Sequence, residues 1–467
     1  MKLGVASIDI TPPLGTVLCG QLEPIRAEGV ESPLSATALC LDDGVATVLI
    51  CSCDIVAVSN AMAAAVREEA AQALGVPAGQ IVICATHTHS GPNTIDLFGN
   101  EAQSDYLQTL RQKVVRVLGE AFANRRDGTL ESVAGDVAGL AFNRRFLMSD
   151  GTIQTHPLKG DPHLVEPEGP DSTRLDVLCA RDRGGEIMGM VVAFGCHATV
   201  MERNNALISA DYPGKVRARI AATLGTGVPV LFLQGASGNI CQVNPRDGSR
   251  REVGAEWART MGDAIGAQAM ALLDRSPVRS TGRLRVATAT LGIPRRAAPL
   301  ELVAWAKGYQ GAAVPAPDLS DYGVEPFGRL AGARISLETL FQTAYWARLY
   351  ANEITAQERA RVGEPVATFA VSVLAMDSWA LVALPCELFV EWAEEIRSCS
   401  PFAQTIVVEL ANGWNGYVPT LRAFARSGGY ETKNLSSSLL APEAGERICR
   451  TAGTLLQSLK DPQSQTK

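Results

Sequence analysis

The stretch Ile81-Val82-Ile83-Cys84-Ala85-Thr86-His87-Thr88-His89-Ser90-Gly91-Pro92 constrains the fold more than any other. Five apolar residues in a row, three of them β-branched, read as a strand covered on both faces. Strands of that kind belong to sheets layered inside an α/β protein. Gly91-Pro92 then turns the chain out of the sheet. His87 and His89 therefore fall just past the end of a buried strand, the place where open α/β sheets hold their ligands. Alternate residues of an extended chain point the same way, so both imidazoles aim at one region. Neutral imidazole is the commonest protein ligand for a transition metal, and the pair is a candidate metal site. Two histidines with purely structural roles are the competing reading of this motif taken alone.

The rest of the composition narrows the class. A chain of 467 residues, 46% hydrophobic and 19% charged, has the makings of a large globular core. The net charge is −7 and no basic cluster appears, so nucleic acid is not an expected partner. No apolar run reaches the length of a membrane span, and no stable membrane anchor is expected. The opening residues, Met1 to Pro13, read as a strand and turn in place of a signal peptide. Most of the eleven cysteines, including Cys51, Cys84, Cys179 and Cys196, lie inside apolar runs, as reduced buried thiols do. Cytoplasmic localisation is the expectation from these features. No CxxC pair occurs, which excludes a cysteine zinc knuckle.

Taken in order, strands and helices alternate. Asp42-Asp43-Gly44 predicts a hairpin turn between 38–41 and 45–51. Ser59 reads as the N-cap of an Ala-rich helix stopped by Gly75, and apolar spacing predicts another helix from Ser104 to Ala123. A hairpin about 183–185 leads into a strand ending at Gly195-Cys196-His197. A helix to about 224, a strand at 228–233 and a helix at 252–274 follow. Residues 300–362 differ in character, with a Pro/Asp loop at 314–326 and a helical pattern at 337–360, and read as an insertion. Its aromatics, from Trp305 to Trp346, are expected mainly to pack a helical layer. Beyond it, strands at 369–375 and 379–384 deliver Pro385-Cys386-Glu387, a helix covers 388–397, and a strand at 405–410 delivers Asn412 to Tyr417.

One pattern recurs along this order: strand ends present His87 with His89, then His197, then Glu387, then Tyr417. Two histidines and a carboxylate with an open position form the donor set of catalytic zinc. Glu387 is equally placed to be an acid at the start of helix 388–397, favoured by the helix dipole. Spacing alone does not single out a tyrosine ligand.

The segment Ala85-Thr86-His87-Thr88-His89-Ser90-Gly91-Pro92 resembles the signature of the neutral, non-lysosomal ceramidase family, zinc amidohydrolases that cut the N-acyl bond of ceramide. Gly4 to Pro12 is similar to that family's opening strand, and Asn143-Arg144 to its Asn-Arg-Ser element. Phe194-Gly195-Cys196-His197-Ala198-Thr199 is similar to its second histidine motif, and Pro385-Cys386-Glu387-Leu388 to Pro-Gly-Glu-Phe. Asn412 to Tyr417, with Tyr430-Glu431, resembles its tyrosine-rich segment. The resemblance implies zinc held by His87, His197, Glu387 and Tyr417. It further implies His89 as a proton-transfer group, with Arg144 and Tyr430 polarising the substrate carbonyl. Read without it, Arg144 is an ion-pair residue and Tyr430 a core phenol.

Three departures from the family pattern stand out. Its Gly-Asp-Val-Ser-Pro-Asn element is matched only loosely by Gly238-Asn239-Ile240-Cys241-Gln242-Val243-Asn244-Pro245, which leaves no clear serine role. A C-terminal Ig-like β-sandwich is not expected after the helical pattern at 438–459, nor is an export signal. The resulting expectation is an α/β chain, residues 1–467 forming one mixed-sheet catalytic domain of the neutral ceramidase type with a helical insertion near 300–362. It hydrolyses a small-molecule N-acyl amide through a zinc-activated water. A zinc esterase or lactonase, and a non-catalytic ligand-binding relative, are the alternatives. Acyl group, amine and any homo-oligomer are left open.

Overall fold

In the computed structural model, the described residues are 1–460 apart from 20–24, 98–99, 202–204, 226, 276, 310–323, 326–328, 331–343 and 427. A nine-stranded sheet comprises β1 (Lys2–Asp9), β2 (Ser35–Asp42), β3 (Thr47–Cys53), β4 (Ile81–Ala85), β5 (Arg126–Asp136), β6 (Arg174–Asp182), β7 (Ile187–Phe194), β8 (Val230–Gln234) and β9 (Val278–Ser280). Its order is β8-β7-β6-β5-β1-β2-β3-β4, and β9 pairs with β5. A four-stranded sheet holds β10 (Arg285–Pro294), β11 (Val366–Met376), β12 (Trp379–Ala383) and β13 (Gln404–Val408), in that order.

The period of two along each strand shows how these sheets are covered. Leu39 and Leu41 of β2 join Leu374 and Met376 of β11 in a core that lies between the sheets. Ala38 and Cys40 of β2 face the other way, against α1 (Asn60–Leu74) and α2 (Ser104–Ala123). Farther along the same outer face, β6 and β7 are covered by α3 (Asp211–Leu224) and α4 (Ala255–Leu273). The helices α5 (Leu300–Gly308) and α6 (Ala344–Gly363) lie in the chain between β10 and β11. Val371 and Val373 of β11 turn toward α7 (Val390–Ser398) and α8 (Ala444–Ser458). The molecule is thus a helix–sheet–sheet–helix sandwich.

The expectation of a mixed-sheet α/β domain did not say that the strands form two stacked sheets. An unbroken apolar run says that both faces of a strand are covered, but it does not distinguish a helix from a second sheet as the cover. Local elements agree closely with the sequence signals. Ser59 caps α1 by accepting from the Met62 N–H, and Gly75 ends it in the left-handed region at φ 68°. Between α5 and α6, Trp305 packs against Tyr309 and Tyr350, with ring centroids 5.5 and 6.1 Å away. Most of the expected 314–326 loop, and the start of the expected helix at 337, fall outside the described residues.

Gly4 marks a close approach of β1 to the end of α2. A Cβ there would lie 2.0 Å from the Ala121 carbonyl oxygen and 2.9 Å from the Arg125 nitrogen, both backbone atoms that cannot step aside. Gly4→Ala is expected to lower stability by about 1–3 kcal/mol through overpacking, read as a lower denaturation midpoint in urea. An unchanged midpoint would mean that α2 does not press on β1 as described.

Parallel pairing supplies the geometry on which the site depends. β3 and β4 are parallel and joined by α1, β7 and β8 by α3, and β12 and β13 by α7. Each such unit leaves its strands' carboxyl ends on one side, free to present loop residues.

Candidate functional site

His87 lies two residues beyond β4 and takes a left-handed φ of 67°. A non-glycine residue holds that conformation only where its surroundings fix it. Here its backbone N–H donates to the Ile55 carbonyl at 3.0 Å, and Nδ1 meets the Val56 carbonyl at 2.7 Å. His197, three residues beyond β7, sets Nδ1 against the Ser237 carbonyl at 2.8 Å. A carbonyl can only accept, so in both rings Nδ1 carries a proton and Nε2 is left free to ligate.

These Nε2 atoms converge. Those of His87 and His197 are 3.0 Å apart, and that of His89 is 3.3 Å from that of His87. Glu387 Oε2 is 3.5 Å from both the His87 and the His197 nitrogen. Its other oxygen, Oε1, accepts from the Trp414 indole N–H at 2.9 Å. Oε2 itself is buried and has no hydrogen-bond partner among the described residues. The Nε2 atoms of His87 and His197 and Oε2 of Glu387 therefore turn their lone pairs on one point, an arrangement that is costly unless a positive charge sits there.

The titration behaviour reflects the same deficit. Burial disfavours a proton on His87, yet the Glu387 carboxylate overrides it and raises the pKa. Burial pushes His197 down to about 3, helped by the charges of Arg144 and His87. His89 is driven well below its ordinary value by burial and by the neighbouring imidazoles. Glu387, although buried, is held well below the usual carboxylate range by His197 and His87. The cluster accommodates one positive centre: a proton on His87, or a cation among all the donors. Nitrogen and carboxylate donors of this number suit zinc, so the residues present fit such an ion.

Arg144 and the two tyrosines line the same place. Glu387-Leu388 pairs in parallel with Tyr417-Val418, putting Tyr417 directly beside Glu387. Arg144 is 1% exposed and donates from Nη2 to the Gly238 carbonyl at 2.7 Å and to the Tyr417 hydroxyl at 3.3 Å. Its guanidinium carbon lies 5.2 Å from the Tyr430 ring centroid, within cation–π range. All seven residues singled out from sequence thus gather about one centre. His89 is found as a third imidazole of the cluster, with a ring nitrogen placed to ligate. A narrow crevice opens beside them, lined by Arg144, His156, Thr199, Cys241 and Gln242. Burial pushes the Cys241 thiol up to about 11, which favours its protonated form at neutral pH.

Beneath Arg144 lies a buried ionic network. Glu431 accepts from Arg144 Nε at 3.0 Å, from Arg145 Nη1 at 2.6 Å and from Thr155 Oγ1 at 2.8 Å. Arg145 pairs in turn with Glu168. Sequence reasoning quoted Glu431 without giving it a task, and it missed Trp414, Ser237 and Glu409. Of these, Glu409 carried a usable signal, since it too stands at the end of a buried strand.

Stacked sheets between helices, with three imidazoles and a carboxylate at their strand ends, define the class: an α/β protein with a buried site capable of holding a cation. Residues 1–227 match the model of the family described as neutral/alkaline non-lysosomal ceramidase, N-terminal. The neutral ceramidase of Pseudomonas aeruginosa is 29% identical over 142 residues, an alignment covering 29% of this chain. That match spans only 20% of the relative's length. The crystal structure of neutral ceramidase from Pseudomonas aeruginosa superposes with a TM-score of 0.71 at 18% identity, over 98% of this chain and 74% of that one. A structure described as ceramidase complexed with C2 gives 0.69, also at 18% identity, over 98% and 75%. At such identities the likeness establishes a shared fold.

Proposed function

We propose that this protein is a zinc-dependent hydrolase that cleaves the amide bond of an N-acylated amine. The observation that carries the reading is the meeting of three imidazole nitrogens with the unpartnered Oε2 of Glu387. The family match of residues 1–227, and the activity named for the Pseudomonas relative, support amide hydrolysis over other uses of such a site.

His87, His197 and Glu387 hold the ion in this proposal, with Tyr417 beside them. Zinc supplies Lewis acidity and lowers the pKa of a water to about 7. The chain's own groups do the rest. Arg144 is permanently charged, and burial keeps the Tyr430 hydroxyl protonated, so both donate toward a carbonyl oxygen as it gains negative charge. Glu431 holds the Arg144 guanidinium in place for that task. His89, whose Nε2 lies 3.3 Å from that of His87, stands where it would relay a proton to the departing amine. The free thiols, ten of eleven buried, fit a reducing, cytoplasmic setting for the protein.

Elemental analysis should find about one zinc per chain, as a site with this donor set holds. A series of N-acyl amides should be hydrolysed, with activity lost to a chelator and restored by zinc. Protein that binds no divalent metal would overturn the reading, whereas turnover of the matching esters alone would replace amidase with esterase.

A further inference from the structure

The candidate ligands come from two different sheets. His87 and His197 follow β4 and β7 of the nine-stranded sheet, whereas Glu387 and Tyr417 follow β12 and β13 of the four-stranded one. Donors that must meet within a few tenths of an ångström therefore depend on how one sheet is seated on the other. Apolar packing between sheets is not directional enough to fix such a register by itself.

Glu409 lies at that seam. It is the first residue after β13 and is fully buried. Its backbone N–H donates to the Gln234 carbonyl at 3.0 Å, lacing the end of β13 to the end of β8. Its carboxylate takes three further donors: Ser237 Oγ–H on Oε1 at 2.5 Å, and on Oε2 the N–H groups of Ser237 at 3.1 Å and Leu388 at 2.7 Å. Ser237 is the residue whose carbonyl receives His197 Nδ1, and its Oγ is also held by Gln234 Nε2 at 2.9 Å. Leu388 is the residue next to Glu387. One side chain therefore grips the support of a ligand from the larger sheet and the neighbour of a ligand from the smaller.

Resting on the zinc reading above, we infer that Glu409 is a positioning residue that clamps the two half-sites together and sets their affinity for the metal. A carboxylate is the group this requires. It offers two acceptor oxygens to three donors, whereas an amide keeps its one oxygen for the two backbone N–H groups and sets an NH2 against the Ser237 hydroxyl, which loses its acceptor. Taking a carboxylate out of water costs folding free energy even with these donors around it. Its contribution lies in alignment.

The test uses the full chain, with zinc affinity measured by competition against a chelator well below each variant's unfolding temperature. Glu409→Gln is expected to bind zinc about 10–100-fold more weakly than wild type, the usual range when a group behind a ligand is lost. Ser237→Ala removes one of the three donors but keeps the carbonyl on His197, and a smaller loss is expected. Gly4→Ala is the control for lost stability, because β1 runs in the same direction as β4 and Gly4 therefore lies at the end of the sheet away from His87. It should unfold more easily and bind zinc as wild type does. Folded Glu409→Gln with wild-type zinc affinity would overturn the clamp and leave the zinc reading intact. A wild-type protein without zinc affinity would overturn the zinc reading, and the clamp with it.

Discussion

Glu387→Gln is expected to strip the site of zinc and to slow amide hydrolysis about a thousandfold or more, some 4 kcal/mol of barrier. The substitution keeps the shape of the side chain and changes one atom. Trp414 needs an acceptor for its indole N–H, so the amide oxygen will turn toward it. The NH2 group then points at His87 and His197, where Oε2 stood 3.5 Å from each nitrogen. A donor replaces an acceptor at the point where the lone pairs converge, and the new hydrogen bonds to imidazole occupy the place of the cation. The fold should survive, since the buried polar atoms are better satisfied than before. Zinc content and kcat/KM measured together are decisive: a variant that keeps its metal and loses less than about tenfold in rate would show that Glu387 is not a ligand.

Glu431→Ala is expected to be the most damaging single change to stability, costing about 3–5 kcal/mol. Against a typical total of about 5–15 kcal/mol, that is a large share. The reason is that Arg144 and Arg145, 1% and 0% exposed, would keep their charges while losing the carboxylate between them. The pH dependence distinguishes this cause from simple loss of packing. Burial would raise the Glu431 pKa, but Arg145 and Arg144 outweigh it and bring it below its ordinary value of 4.5. A carboxylate with a lowered folded-state pKa contributes stability that is present above 4.5 and is lost as pH falls through the folded value. Urea denaturation should therefore show a wide gap between wild type and variant at pH 7 that narrows steadily below pH 4.5. A gap independent of pH would assign the loss to packing.

The sequence was informative where local rules govern. The strand Ile81–Ala85, the cap at Ser59 and the stop at Gly75 all follow from periodicity and backbone preference, which act over a few residues. The four strand ends that meet at the site were visible one by one, because each is a buried run that ends in a polar residue. Their meeting was not. His87 and Glu387 are 300 positions apart, and no local rule says that their strands belong to facing sheets. The supporting groups were hidden for a second reason. Ser237 and Trp414 are residues of ordinary type, and what sets them apart is a hydrogen-bond partner supplied by a distant part of the chain. Arg144 shows the reverse case. As a surface ion pair it would have meant little, and its burial against Tyr417, Tyr430 and Glu431 is what makes it informative.

The division of the donors between two sheets has a consequence for biosynthesis. The larger sheet is complete by Ser280, so a nascent chain of that length already presents His87, His89 and His197. Half of the cage then stands open until the ribosome has added Glu387 and Tyr417, more than a hundred residues later. At about 5–20 residues per second, that interval lasts several seconds or more, during which the three imidazoles stand without their carboxylate. On the zinc reading proposed above, selection among metals then falls to the carboxylate of Glu387 and the phenol of Tyr417, the donors translated after all the imidazoles.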